Sequence, residues 1–413
     1  MRQSKLFGKT RKETPKDEVS LNATLLTRAG FIDKLTAGVY TYLPLGLRVL
    51  DKIKKIVREE MDGIDGQEIL MPALHPKEVW EKTGRWTDPG TEVMFQFEGR
   101  GKKEFGLGWT HEEVVTPLVK KFVNSYKDLP LYLYQIQDKF RNEPRAKSGL
   151  MRGIEFSMKD LYSFHKDEAD LVAYYEKALA AYQRVFSRCG LDALVTEASG
   201  GSFSKYSHEF QVLTPYGEDT VYYCNQCRYC QNKEVAEVAQ GNVCPKCATG
   251  KIQEGKAIEV GNIFQLKTKY SEPFKLEYVD ETGKKRPVIM GCYGIGPSRV
   301  MGSIVEVYND DKGIVWPGNV APFKAHLIRL GEDAEVMAAA EAVYKQLLDR
   351  GVEVLFDDRA EVTAGQKFAD SDLIGVPYRL VVSNKTKNKI EVKKRSETQS
   401  QIVDLPALIK ILE

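Results

Sequence analysis

Residues 135–165, QIQDKFRNEPRAKSGLMRGIEFSMKDLYSFH, decide the fold. Aromatic and aliphatic residues alternate in part from Tyr132 to Phe140 and again from Gly153 to Phe164, the period-two pattern of paired β-strands. Between them Glu143-Pro-Arg-Ala-Lys-Ser-Gly supplies turn residues. Arg141, Arg145, Lys147 and Arg152 cluster around that turn, with Glu143 among them and Phe156 just beyond. Guanidinium groups pair with phosphate through two parallel hydrogen bonds. A carboxylate accepts from an exocyclic amine, and an aromatic ring stacks on a base. The group suits a nucleoside triphosphate lying on an antiparallel sheet, and it equally suits a charged, solvated hairpin. No Walker loop and no GxGxxG after a strand occurs, so neither common nucleotide cradle competes.

Further residues carry a resemblance. Phe140-Arg141-x-Glu143, followed by Arg152 and Glu155-Phe156, is similar to motif 2 of the class II aminoacyl-tRNA synthetases. The flanking GWTHEE and GCYGIGPSR resemble the bacterial type of prolyl-tRNA synthetase, and the likeness runs from about Leu21 to the C-terminus apart from one replaced segment. It implies an α+β catalytic domain built on an antiparallel sheet, a homodimer, a cytoplasmic location, and a proline–tRNA ligase using ATP and Mg2+ on proline and tRNA(Pro).

Composition agrees with a soluble multidomain protein. A chain of 413 residues suggests two to three domains. Hydrophobic content of 42% and charged content of 29% are ordinary for a globular chain, and no apolar run approaches the roughly 20 residues that span a bilayer. The basic, polar N-terminus has no hydrophobic core of a signal peptide, and residues 1–20 read as a mobile arm. The net charge of +2 does not by itself point to nucleic acid.

Taken in order, the spacing predicts a helix and loop over 21–37, an amphipathic helix over 47–61 and a strand over 67–72 ending at Pro72. That helix and strand resemble motif 1, which implies the dimer interface. Residues 95–97 and 104–109 read as a hairpin leading into Thr110-His111-Glu112-Glu113 and a helix to about 123. Thr110 suits an N-cap with acids in the first turn. By resemblance, Thr110 and Glu112 instead hold the ring nitrogen of proline. A helix over 166–189 and strands over 191–197 and 210–213 follow. The GGS…SHEF segment between those strands implies a place for His208 near the amino-acid pocket, while a lone histidine is equally a hydrogen-bonded structural residue. The loop over 203–206 reads as a few residues longer than the common bacterial form.

Cys224-x-x-Cys227-x-x-Cys230 and Cys244-x-x-Cys247 give the strongest purely chemical signal. Two CxxC turns joined by a short spacer match a four-thiolate Zn2+ site, with Cys224, Cys227, Cys244 and Cys247 as ligands, or Cys230 in place of Cys224. Many bacterial relatives carry a large editing domain between motifs 2 and 3. Residues 223–255 stand there instead, too few for an independent core without a metal staple, which implies no editing in cis.

Strand 257–266 resembles the family's EVGHIFQL, which implies that Glu259 and Gln265 face the nucleotide. Asn262 departs from the usual histidine, and Ile154 from the usual arginine. At the end of strand 287–292, Cys292 stands apart from the cysteine pairs, and the resemblance implies that it lines the prolyl pocket rather than binding metal, while Gly294 and Gly296 let backbone approach a ligand. Arg299 resembles the motif 3 arginine that clamps the γ-phosphate. By resemblance Arg141 neutralises the α-phosphate and contributes to the proline site, Arg152 joins Arg299 on the outer phosphates, and Glu143 and Phe156 hold adenine. Beyond residue 317 the pattern βαβαββα predicts a small α/β domain with a mostly parallel sheet, similar to the anticodon-binding domain. Asp357-Asp358-Arg359 and the basic run 385–394 are candidates for anticodon contacts. The division expected is therefore 1–222 with 256–318 catalytic, 223–255 a zinc-ribbon-like insertion, and 319–413 anticodon-binding. The alternatives are a threonyl-type or other class II enzyme, and a synthetase-like RNA-binding paralogue that does not charge tRNA.

Overall fold

The computed structural model describes residues 1–13, 18–144, 146, 148–201, 203, 204 and 206–412. Arg145 and Lys147 of the basic turn, and part of the loop expected over 203–206, lie outside the described residues.

The two alternating stretches form the expected hairpin. Its strands pair antiparallel from Leu131 opposite Phe164 to Phe140 opposite Glu155. Among the described residues they belong to a nine-stranded sheet. Its strands are β1 (Gln67–Glu68), β2 (Leu131–Phe140), β3 (Glu155–His165), β4 (Ala193–Ser199), β5 (Tyr206–Leu213), β6 (Asp219–Cys224), β7 (Cys230–Asn232), β8 (Ile252–Lys267) and β9 (Ile289–Ile295). The order across the sheet is β5-β4-β7-β6-β8-β9-β3-β2-β1, and β5 also pairs with β8. All neighbours run antiparallel except β1 with β2 and β7 with β4.

One face of this sheet is closed by helices. Helix α1 (Pro44–Asp62) starts on a proline, whose fixed φ and missing N–H suit the first turn. It buries Val49, Leu50, Ile53, Ile56, Val57 and Met61 at helical spacing. Helix α3, named here after the short α2 (Glu112–Val119), spans Glu168–Arg188 and is capped by Asp167, whose carboxylate accepts from the Asp170 N–H at 2.8 Å. It buries Leu171, Tyr174, Tyr175, Ala178, Tyr182 and Val185. Because strand side chains alternate, every second residue of β3, β5, β8 and β9 meets this helical layer. The residues between them face the opposite side, where the site lies.

The C-terminal unit is a five-stranded sheet in the order 354–357, 325–330, 378–383, 390–394, 401–403. The first three strands are parallel and the last two antiparallel, with one strand (Gln401–Val403) more than the sequence pattern predicts.

Several expectations are corrected. Residues 21–37 are a helix, Leu21–Arg28, followed by a hairpin strand, Ile32–Thr36. The strand at 67–72 is only Gln67–Glu68. The start of the chain is not a mobile arm. The Met1 ammonium donates to Val354 O at 2.8 Å, Arg2 pairs with Glu341 at 2.7 Å, Gln3 Oε1 meets His326 Nε2 at 2.8 Å, and Ser4 bonds Asp358. Polar side chains with partners some 340 positions away look solvated in the sequence and are docked in the fold. The Asp357–Arg359 run is also committed internally. Asp357 is fully buried, and Arg359 bridges it to Asp370 at 2.6 and 2.9 Å. Finally, the cysteine segment is not set apart from the sheet. It grows from β6, β7 and β8, and β8 continues unbroken through residue 255 into the main sheet.

Candidate active site

On the face opposite α1 and α3, where α2 packs Val115 and Val119 near Tyr162 and Phe164, β3, β8 and β9 line a partly open cavity of about 150 Å³. From β3 come Phe156, Met158, Asp160 and Tyr162, one parity of the strand. From β8 come Glu259, Asn262 and Phe264, and from β9 Cys292 and Gly294. Thr110, Arg141, Phe203 and Arg299 complete the wall. A side chain on Gly291 of β9 would meet Tyr293 Oη at 2.5 Å, so the backbone there needs glycine to pack flat.

Of the residues singled out in the sequence, the fold brings Thr110, Arg141, Phe156, Glu259, Cys292 and Arg299 to this cavity. Glu112 stands directly behind Thr110 and Cys292. The Thr110 hydroxyl donates to Glu112 Oε2 at 2.5 Å and the Cys292 thiol to Oε1 at 3.3 Å. Thr110 therefore does not cap helix α2. The N-cap residue is His111, with no side-chain cap bond.

The electrostatics are uneven. The Arg141 guanidinium sits 5.2 Å from the Phe156 ring centroid, and its buried Nε has no hydrogen-bond partner. Burial, and then the like charge of Arg299, push its pKa down, while Glu259, Glu112 and Glu143 act against this. A half-buried cation whose Nε has no partner favours an incoming anion. Arg299 donates from Nη1 to Glu259 Oε2 at 2.8 Å and to Glu259 O at 3.2 Å. Beside that pair Glu209 is pushed up to about 8, by burial first and by Glu259 next, although Gln211 and Asn232 donate to it. Asp219 is raised too, by burial first. Gln211 Oε1 is buried there without a partner.

Four expected residues lie elsewhere. His208 and Gln265 point to the helical side of the sheet. His208 Nδ1 meets Tyr175 Oη of α3 at 2.8 Å, and Gln265 lines a separate cleft with Tyr175 and His208. The cause is strand parity: His208 shares a face with buried Phe210, and Gln265 with buried Ile263. Arg152 and Glu143 pair with each other at 3.4 Å, and Arg152 also pairs with Glu218 at 2.9 Å, outside the cavity lining. At the two departures from the family pattern, Asn262 Nδ2 donates to Glu209 Oε1 at 3.4 Å, while Ile154 meets Gly38 through its backbone.

Sequence reasoning missed Asp160, Tyr162, Arg85 and Glu113. Asp160 is buried and held by Lys139 at 2.7 Å and by Gln135 at 2.9 Å. Tyr162 Oη accepts from the His111 N–H at 3.1 Å. The alternation of β3 carried the signal for both, because Phe156, Met158, Asp160 and Tyr162 share one parity.

The four cysteines Cys224, Cys227, Cys244 and Cys247 come together with all ligand atoms within 4.8 Å of one another. The Cys224–Cys247 and Cys227–Cys244 sulfur pairs are each 3.7 Å apart. A regular tetrahedron with Zn–S bonds near 2.3 Å has edges of about 3.8 Å, so the donor set fits that ion. Cys230 is excluded from the group: it is buried on β7 and accepts from the Thr196 hydroxyl at 3.2 Å.

The family model "tRNA synthetase class II core domain (G, H, P, S and T)" matches residues 95–308, and an anticodon-binding domain model matches 320–413. The proline–tRNA ligase of Sulfurihydrogenibium sp. (strain YO3AOP1) is 36% identical over 558 aligned positions, covering 99% of this chain and 98% of the relative. That of Aquifex aeolicus (strain VF5) is 34% identical over 566 positions, covering 100% and 99%. Those alignments are far longer than the 413 residues here, so the relatives carry a long insertion with no counterpart in this chain. Prolyl-tRNA synthetase from Cryptosporidium parvum, complexed with halofuginone and AMPPNP, superposes with a TM-score of 0.79 at 18% identity over 95% of this chain and 76% of that one. The Giardia lamblia enzyme in complex with prolyl-adenylate gives 0.78 at 19% over 95% and 78%. At such identities these two speak for the fold alone.

Proposed function

The chain belongs to the prolyl-tRNA synthetases, the proline–tRNA ligases among the class II enzymes, and on that premise we propose that the cavity lined by β3, β8 and β9 is where proline meets the α-phosphate of ATP. The observation that carries this reading is the convergence of Thr110, Arg141, Cys292 and Arg299 on one cavity with Glu112 behind it.

Thr110 and Glu112 accept from the two N–H groups of the protonated ring nitrogen, beside the small apolar end formed with Cys292. The proline carboxylate oxygen attacks the α-phosphorus, the bond to the bridging oxygen breaks, and pyrophosphate departs. Arg141 meets the charge that grows on the α-phosphate oxygens from a position fixed before the reaction. Arg299, released from Glu259, holds the outer phosphates, and Phe156 stacks on adenine. In the second step a ribose hydroxyl of the tRNA 3′ end attacks the prolyl carbonyl, and adenylate leaves. Among the described residues no side chain lining the cavity is an evident general base, so positioning carries this step. Arg152 and Glu143 close the phosphate and adenine ends only if their mutual pair opens.

The carboxylates of Glu259 and Asp219 would hold Mg2+. The raised pKa of neighbouring Glu209 and the orphaned Gln211 Oε1 mark a surplus of negative oxygen donors that suits a hard cation. Bound there, Mg2+ supplies neutralisation of the departing pyrophosphate. The four-cysteine cluster would hold Zn2+ as a structural zinc-ribbon-like knuckle with no open position. Leu70 and Leu74, exposed next to the sheet's edge strand β1, support a homodimer along that edge. Free thiols suit a reducing cytoplasm, and among the described residues no helix is long and apolar enough to cross a membrane. The C-terminal unit reads tRNA(Pro). The missing insertion supports a ligase without editing in cis.

Amino-acid-dependent ATP–pyrophosphate exchange tests the specificity. Proline is expected to drive exchange and threonine to give none above background. Equal exchange with both would refute the pocket assignment.

A further inference from the structure

Glu112, the residue assigned above to the ring nitrogen of proline, is not held by Thr110 alone. Its neighbour Glu113 is also fully buried, and the two carboxylates share a single guanidinium. Arg85 Nη1 donates to Glu113 Oε1 at 3.0 Å and Oε2 at 3.2 Å, and reaches Glu112 Oε2 at 3.4 Å. The Thr83 hydroxyl donates to Glu113 Oε1 at 2.8 Å. Arg85 is only 5% exposed. Its guanidinium carbon lies 4.3 Å from the ring centroid of Trp109, 5.1 Å from Phe203, 5.2 Å from Tyr270 and 5.6 Å from Trp80. Four aromatic rings hold the guanidinium plane in place, and Arg85 Nε and Nη2 are buried without hydrogen-bond acceptors. Burial pushes the Glu113 carboxyl up to about 7 against the pull of Arg85, as expected where two negative groups share one cation.

We propose that Arg85 and Glu113 are positioning residues: by sharing the one guanidinium with Glu112, Glu113 when ionised keeps Arg85 from offsetting Glu112 completely, and Glu112 stays aimed at the cavity for the protonated ring nitrogen of proline. Lys269 is the other cation of this cluster. This rests on the reading of Glu112 as the amine's partner. Its consequence is that proline affinity depends on a carboxylate that never touches proline. Making Glu113 neutral at constant volume lets Arg85 offset Glu112 fully, so the ammonium loses its attraction. The same change removes a like-charge repulsion from the empty pocket.

The test is thermal melting together with proline-dependent ATP–pyrophosphate exchange on the full chain, for the wild type, Glu112→Gln, Glu113→Gln and Arg85→Lys. Glu113→Gln should keep or raise the melting temperature while raising KM for proline about tenfold or more, with KM for ATP within about twofold. Arg85→Lys keeps the charge but loses the planar guanidinium packed among the four rings, and should raise KM for proline by a similar factor. A merely structural role predicts the opposite signature for Glu113→Gln, a lower melting temperature with both KM values moving together, and that result overturns the proposal. So does a KM for proline within about twofold of wild type. Should Arg85→Lys not fold, the near-isosteric Glu113→Gln alone decides. Glu112→Gln separates the two levels. If it leaves KM for proline unchanged, the reading of Glu112 itself fails. If it raises KM while Glu113→Gln and Arg85→Lys do not, only the positioning role fails.

Discussion

Replacing Cys227 with serine should remove the metal from this protein and loosen one identifiable segment without dissolving the sheet. The sulfurs are already at tetrahedral spacing, 3.7 Å for Cys227–Cys244. The turns are built for thiolates: Gln226 N–H and Cys227 N–H each point to Cys224 Sγ at 3.4 Å, and Gly250 N–H to Cys247 Sγ at 3.3 Å. Few apolar groups hold the connecting loop, so the ion carries most of its order. Structural Zn2+ is worth about 10–16 kcal/mol in small zinc-dependent peptides. Here the sheet already holds β6, β7 and β8, so only part of that stabilises the loop. If a third does, roughly 4 kcal/mol is lost on substitution, about a thousandfold in local opening. Hydrogen exchange reads this directly. The amides of Cys244, bonded to Gly250 O at 2.8 Å, and Ile252, bonded to Asn242 O at 2.9 Å, should lose about three decades of protection. Ile263 and Phe264, further along β8, should not change. Elemental analysis should give one zinc per chain for the wild type and for Cys230→Ser, and none for Cys227→Ser. A wild type purified without chelator that carries no zinc, or a Cys230→Ser variant that loses it, would refute the assignment.

Two further outcomes follow from the same structure. Alanine is smaller than proline by two carbons, and each missing methylene costs about 1–3 kcal/mol, so alanine should be activated about 10²- to 10⁴-fold less efficiently than proline. Alanyl-tRNA(Pro) added to the enzyme should then persist as long as it does in buffer, and faster deacylation would show an editing site that the missing insertion argues against. His208→Ala should leave KM for proline within about twofold, since His208 bonds Tyr175 on the helical side of the sheet. A tenfold rise, of the order expected for a substrate contact, would restore it to the pocket.

The sequence carried the hairpin of β2 and β3 because its alternation spans ten and eleven residues, long enough to fix the parity of Phe156, Asp160 and Tyr162. Gln265 escaped the sequence reading because β8 carries one extra residue, Val260, opposite the Phe210–Gln211 step, so Glu259 and Gln265 do not share a face, whereas His208 follows the regular alternation of β5 with Phe210 and Val212. A single extra residue exchanges the two faces of a strand and leaves no mark in composition. The choice between Cys224 and Cys230 was equally closed to spacing arguments. Pairing of Tyr223 with Cys230 in the sheet turns the Cys230 thiol toward Thr196 and settles it. Arg85 was invisible for another reason. Its role depends on a box of Trp80, Trp109, Phe203 and Tyr270 drawn from distant parts of the chain. The docking of residues 1–5 onto the C-terminal unit has the same character: short polar side chains whose partners only the fold reveals.

The most direct test of the account is proline-dependent ATP–pyrophosphate exchange by Arg141→Ala, measured on folded protein. Arg141 is a half-buried cation of the cavity wall whose buried Nε has no hydrogen-bond partner, and its loss removes the charge that meets the reacting phosphate. Exchange should fall by about 10²- to 10³-fold, the loss usual for one preorganised transition-state donor. Exchange within about tenfold of wild type would contradict the claim that the cavity is where proline and ATP react.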